Sequence, residues 1–258
     1  MSAQNMDRKG RKHGREIVRS FLVLLTAAFL LASCSEEDDM PEPITVLTSL
    51  NEYTSIDETT GVIYVEDLPG SVGNTFASGH VPVFYNLENY EIINPYNDED
   101  ILLELPEEQR LSIDWDVAFT SIYNSYVRPN NGSVESNPAY GGEGKGSMIV
   151  IDALFDELDL APSDEEFDAF MAKQSASGWE DFPPGDKGWY FYSLDSHIMS
   201  AISGVTIVIK TPEGNYAKME MSSLYLGSPE NPTVNTPAPY FTFRYFLQSN
   251  GSRDLRTQ

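Results

Sequence analysis

Apolar and polar positions alternate with a period of two along much of this chain, and one stretch switches to a helical spacing. From Ile113 to Tyr126 the sequence reads IDWDVAFTSIYNSY. Ile113, Trp115, Val117, Phe119, Ser121 and Tyr123 fall on one face, and Asp114, Asp116, Ala118, Thr120, Ile122 and Asn124 on the other. That period, with aromatic and β-branched residues on the richer face, predicts a half-buried central strand. The two aspartates then share its polar face, pointing to solvent or pairing with backbone donors. Nothing else in the chain supplies the third group that acid–base catalysis would need.

The same grammar predicts strands at Val62–Val65 and Met148–Ile151 and a short one at Ile44–Leu47. Val81–Leu87 and Tyr90–Ile93 read as a hairpin around Glu88-Asn89. Trp189–Ser193 reads as a further strand. Val205–Thr211 and Tyr216–Ser222 form a hairpin about Pro212-Glu213-Gly214-Asn215. Met219 and Met221 share a face of its second strand and are core positions. Tyr240–Leu247 closes the chain with Phe241, Phe243, Tyr245 and Leu247 on one face. The helical stretch opens at Ser163, where Glu166 completes a capping box and Phe167, Phe170 and Met171 share a face. The pattern therefore predicts an all-β domain, mostly antiparallel, with one short helix.

Charge narrows the partners. The chain of 258 residues carries a net charge of -24, with 16 basic and 40 acidic residues. The first 33 residues hold six Lys or Arg and two acids, leaving 10 basic and 38 acidic residues from Cys34 onward. Such a surface repels nucleic-acid phosphates, so no nucleic-acid partner is expected.

The basic start, the apolar run Phe21–Leu31 and Leu31-Ala32-Ser33-Cys34 resemble the signal peptide and lipobox of bacterial lipoproteins. These eleven residues, apolar apart from Thr26, are too few to span a bilayer as a helix. That resemblance implies a signal at 1–33 and acylation of Cys34, the one cysteine, with membrane anchoring through its lipid. Ser35, Glu36, Glu37, Asp38 and Asp39 resemble the surface-export signal of Bacteroidetes lipoproteins. They open an acidic, Pro-containing tether over 34–52, with the β domain at 53–258. The implied location is the outer membrane, exposed on the cell surface.

Gly141-Gly142-Glu143-Gly144-Lys145-Gly146 is not a phosphate cradle, because Lys145 is followed by Gly rather than Ser or Thr and then by a strand. A mobile connection allowing close backbone approach fits it better. Together with Asp114–Phe119, the hairpin Val208–Lys218 and the closing Tyr240–Tyr245, it occurs in the order found in HmuY-like proteins, which this chain resembles from about Val81 to Leu247. These are haem-binding surface lipoproteins of Bacteroidetes. The resemblance implies an HmuY-like β domain, haem or haemoproteins as partners, and transfer to an outer-membrane haem receptor.

Iron ligands in that family are paired histidines or methionines, and here the chain departs from the pattern. His80 and His197 are the histidines left after the signal. His197 and Met199 fall where a ligand loop is expected, and Met171 is the sulfur donor of the earlier segment. All three are candidate haem ligands, since imidazole and thioether both bind haem iron. Each also has an ordinary reading, Met171 as helix-face packing and His197 as an exposed loop residue. The alternative function is a surface adhesion or polysaccharide-associated lipoprotein without a haem pocket, with Trp179, Trp189 and Tyr190 as a sugar platform. No zinc-type His spacing, G-x-S-x-G or second cysteine points to an enzyme.

Overall fold

The computed structural model describes residues 46–71 and 80–257. Cys34 and the export residues Ser35–Asp39 lie outside the described residues. Among the described residues three antiparallel sheets account for the strands. The largest has seven, in the order β1-β2-β3-β13-β12-β11-β8: Leu47–Ser49 (β1), Thr54–Asp57 (β2), Val62–Pro69 (β3), Tyr240–Gln248 (β13), Tyr216–Ser223 (β12), Val205–Lys210 (β11) and Ser147–Asp152 (β8). The second orders Glu91–Ile92 (β5), Val83–Asn86 (β4), Val117–Thr120 (β6) and Tyr126–Pro129 (β7). The third pairs Tyr190–Tyr192 (β9) with Met199–Ala201 (β10). Through β1 the large sheet reaches into the stretch expected to be tether. Among the described residues no helix is long and apolar enough to cross a membrane.

Alternation explains how the two larger sheets pack. Ile63, Val65, Phe241, Phe243, Tyr245, Met219, Met221, Ile207 and Met148 project from the seven-stranded sheet into one cluster. Val83, Tyr85, Val117, Phe119 and Val127 enter it from the four-stranded sheet. Phe119 stacks on Phe241 with ring centroids 4.2 Å apart, and Tyr245 donates its hydroxyl to Leu87 O at 2.7 Å. Burying each such side chain contributes about 1.5–3 kcal/mol. The methionines of β12 are core, as the alternation predicts.

The outer face of the large sheet is covered too. Asp164–Met171 (a two-turn helix) begins with the expected capping box, Glu166 N on Ser163 Oγ and Ser163 N on Glu166 Oε2. It lays Phe167 against Val208 and Tyr216. Beside it the fully buried Lys218 donates Nζ to Phe155 O at 2.8 Å and Leu158 O at 3.1 Å, the carbonyls at the start and the C-cap of a short 3-10 turn. A one-turn helix, Glu107–Arg110, was not predicted from the pattern.

The stretch 113–126 is not one strand. Ser121, Tyr123 and Asn124 take left-handed conformations (φ 69°, 52° and 51°) and fold it into the β6–β7 hairpin. Asn124 is among the few residue types that tolerate this. Trp115 joins Phe84, Ala118 and Ala139 in a separate cluster outside the four-stranded sheet, instead of sharing a face with Val117 and Phe119. The aspartates separate as well: Asp114 is exposed beside Ser112, whereas Asp116 is buried and accepts Leu87 N at 2.8 Å. Burial raises the Asp116 carboxyl from its ordinary 3.8 to about 7.

The glycine-rich loop supports that outer cluster through close approach. A Cβ on Gly132 would stand 2.1 Å from Gly142 O. Gly132 N donates to Gly144 O and Gly146 N to Asn130 O, so the loop is tied to its own backbone. The hairpin at 83–92 turns through Leu87–Tyr90 rather than two residues, with Tyr90 left-handed (φ 62°).

Candidate functional site

Three connections meet at one end of the sandwich around a cavity of about 730 Å³. The first is the 121–125 turn between β6 and β7. Asn124, fully buried, holds it in place: Oδ1 accepts Ser71 N and Ser71 Oγ, while Nδ2 donates to Val81 O and Phe119 O. This turn sends Tyr123 and Ile122 to the cavity wall.

The second connection runs from Gly178 through β9 and β10. It is anchored to β7 by the reciprocal Val127–Ser177 bonds. Gly178 lies flat against the Tyr126 ring, where a Cβ would come within 2.5 Å, so Tyr126 and Trp179 line the same wall. Trp179 stacks on Phe182 at 4.4 Å and meets Tyr192 edge-on at 5.1 Å. Tyr190 and Tyr192 continue the wall, and Tyr190 Oη lies 3.0 Å from Ser125 Oγ. The third connection, between β12 and β13, brings Leu224, Tyr225 and residues 233–238. It is closed by Leu226 N on Pro237 O and Tyr240 N on Leu224 O.

His197 and Met199 both line this cavity. His197 sits in the β9–β10 turn with φ 56°, its Nδ1 2.8 Å from Tyr192 Oη. When Nδ1 donates to that oxygen, Nε2 keeps its lone pair, the arrangement that orients a ligating imidazole. Met199 begins β10 opposite Tyr192, and its N donates to Tyr225 Oη at 3.0 Å. Met171 is elsewhere. It packs on the main core from the end of its helix and does not line the cavity. Trp189 is also absent from the wall: it is buried behind Tyr190, with Nε1 on Ser125 O at 2.8 Å.

The electrostatic character of the lining is uniform. Among the described residues it contains no Lys, Arg, Asp or Glu, and its polar side-chain atoms are hydroxyls, the Asn235 amide, the Trp179 indole N–H and the His197 ring. Burial raises the phenols of Tyr126 and Tyr225 above their ordinary 10.0, which keeps them neutral. Haem fits this set on one count and strains it on another. The volume falls within the range of about 300–1,000 Å³ usual for ligand cavities, the walls are aromatic, and an imidazole is present. Among the described residues no cation lines the cavity to meet two propionates, so those groups would have to point out to solvent.

Sequence reasoning missed most of the wall. Phe182, Tyr225 and the 233–238 loop lie outside the strands, Tyr126 and Tyr192 stand at the ends of β7 and β9, and Tyr123 sits in a turn that the alternation count ran across. The density of aromatics in irregular segments, and the Pro-rich loop before Tyr240, were the available signals.

Fold and site together define an antiparallel β-sandwich with an aromatic, uncharged binding cavity at the loop end. The chain is similar to several solved structures. One is assigned as a lipoprotein of Bacteroides fragilis (13% identity, 77% of this chain and 97% of that one, TM-score 0.36). Another is the apo HmuY analogue of Tannerella forsythia (14%, 75% and 100%, TM-score 0.34). A third is assigned as an HmuY-like heme-binding protein of Bacteroides vulgatus (12%, 78% and 96%, TM-score 0.36). No family model and no curated protein matches the chain.

Proposed function

We propose that this protein is a non-catalytic, surface-anchored binding protein whose aromatic cavity takes haem, with His197 as an iron ligand. The observation that carries this reading is the cavity itself, walled by Trp179, Phe182, Tyr190 and Tyr192, with an imidazole held in place by Tyr192. Trp179 and its neighbours would cover the flat faces of a porphyrin, where apolar burial contributes about 25 cal/mol per Å². His197 would supply an axial nitrogen, and iron supplies the affinity for it when bound. The polar lining would accept no anion by charge, which leaves the propionate edge outward.

Trp179→Ala removes a half-buried wall and its stack on Phe182. It is expected to weaken haemin binding by about 10-fold or more, measured by titration; an unchanged affinity would place the ligand elsewhere. His197→Ala is expected to shift the Soret band more than it changes affinity.

A second reading has its own support. An uncharged lining rich in hydroxyls and aromatic faces also suits a neutral saccharide, as on a polysaccharide-associated lipoprotein. A glycan panel that quenches or shifts tryptophan fluorescence while haemin does not would favour it.

The location follows the lipobox-like Leu31–Cys34. Cys34→Ala is expected to lose incorporation of labelled fatty acid that the wild type shows; equal labelling would remove the anchor from this account. Display on the outside, with delivery to an outer-membrane receptor, rests on the Ser35–Asp39 motif.

A further inference from the structure

The donors around the cavity are unevenly placed. Of the residues lining it, His197 and Met199 are the two with an imidazole or a thioether. They are separated by one residue, Ile198, so their Cα atoms lie at most about 7 Å apart. A pair of axial ligands must stand on opposite faces of a porphyrin, and a two-residue span cannot pass around the edge of that ring. One of the two can reach the iron; the other cannot reach its far side.

His197 is the better placed. Its Nδ1 is engaged by Tyr192 at 2.8 Å, which leaves Nε2 for a metal, while Met199 is packed against the main core and pinned through its backbone to Tyr225. The remaining donors of the domain do not complete a pair. Met148, Met219 and Met221 are buried in the sandwich core, and Met171 packs on that core away from the cavity. His80 holds Ser71 O through Nδ1 and lies behind Tyr123, at 5.1 Å between rings. Residues 72–79 contain no His, Met or Cys.

We infer that, among the described residues, the cavity supplies a single imidazole or thioether donor to haem iron, His197 positioned by Tyr192, and leaves the opposite side to a nitrogen donor from outside the chain. This rests on the haem reading above and specifies its coordination. Met199 then serves as packing beneath the ring. The external donor is an imidazole-type group, which a solvent ligand or another protein's histidine could provide.

The probe is imidazole, added to the full chain loaded with ferric haemin and followed by absorption. The wild-type complex is expected to be high-spin, and imidazole should convert it to a low-spin spectrum in a saturable titration. His197→Ala should bind haemin with an altered Soret band that imidazole moves further. Tyr192→Phe should keep haemin yet shift the band, because the ring it orients is free to turn; a hydroxyl with only a packing role would leave the spectrum alone. A complex that is low-spin before imidazole is added, and that loses this state in Met199→Ala, Met171→Ala or His80→Ala, overturns the inference while the haem reading stands. A spectrum unmoved by His197→Ala overturns it as well. Absence of any Soret change on mixing wild type with haemin overturns both.

Discussion

Asn124→Ala is expected to destabilise the domain by about 3–5 kcal/mol and to abolish ligand binding at temperatures where the wild type still binds. Asn124 is fully buried and satisfies Ser71 N, Ser71 Oγ, Val81 O and Phe119 O from one amide. Removing it leaves these groups without that partner in a place water does not reach, at about 1–3 kcal/mol each where no substitute forms. Alanine would also have to hold φ near 51°, a conformation that disfavours a Cβ. Since the same residue places Tyr123 and Ile122 on the cavity wall, loss of binding should accompany the loss in melting temperature. Equal thermal midpoints for variant and wild type would contradict this account of the turn.

Asp116→Asn is expected to act in the opposite direction. In the unfolded chain the carboxyl titrates near 3.8, and in the fold near about 7 because it is buried. Between those values the native state holds a proton that the unfolded state has released. This group therefore makes stability fall as pH rises from about 4 to about 7, with no further loss above. The gap corresponds to about 4 kcal/mol at most. Asparagine keeps an oxygen for Leu87 N but must place two amide protons, which offsets about 1–3 kcal/mol. The net expectation is a variant close to or below wild-type stability at pH 4 and about 1–3 kcal/mol more stable at pH 8. Urea unfolding at the two pH values checks it. A wild-type-like pH slope in the variant would mean that Asp116 is not the group responsible.

Both residues mark where sequence reading stops. The strands of the last third, the capped helix and the core methionines were legible because burial on one face imposes a period that the residues display. Ile113–Tyr126 displayed the same period across a turn, since left-handed positions at Ser121, Tyr123 and Asn124 leave no trace in an alternation count. Buried polar residues are equally silent. Asn94, Asn124 and Asn130 each tie separate segments through side-chain bonds, and an asparagine in a loop reads as turn chemistry. At the site, His197 and Met199, named as candidates from the resemblance, lie in the hairpin that enters the cavity. Met171 and Trp189 do not line it, and their spacing says only that they are apolar. The wall of tyrosines depends on three connections converging, a long-range fact of topology.

The central claim is that the loop-end cavity binds haem. An absorption titration of the full chain with haemin, run beside Trp179→Ala, tests it most directly. The account expects a saturable one-to-one complex with a shifted Soret band in the wild type, and a midpoint moved at least about 10-fold in the variant. A wild-type spectrum that remains the sum of free haemin and protein at every ratio, in both iron oxidation states, would contradict it.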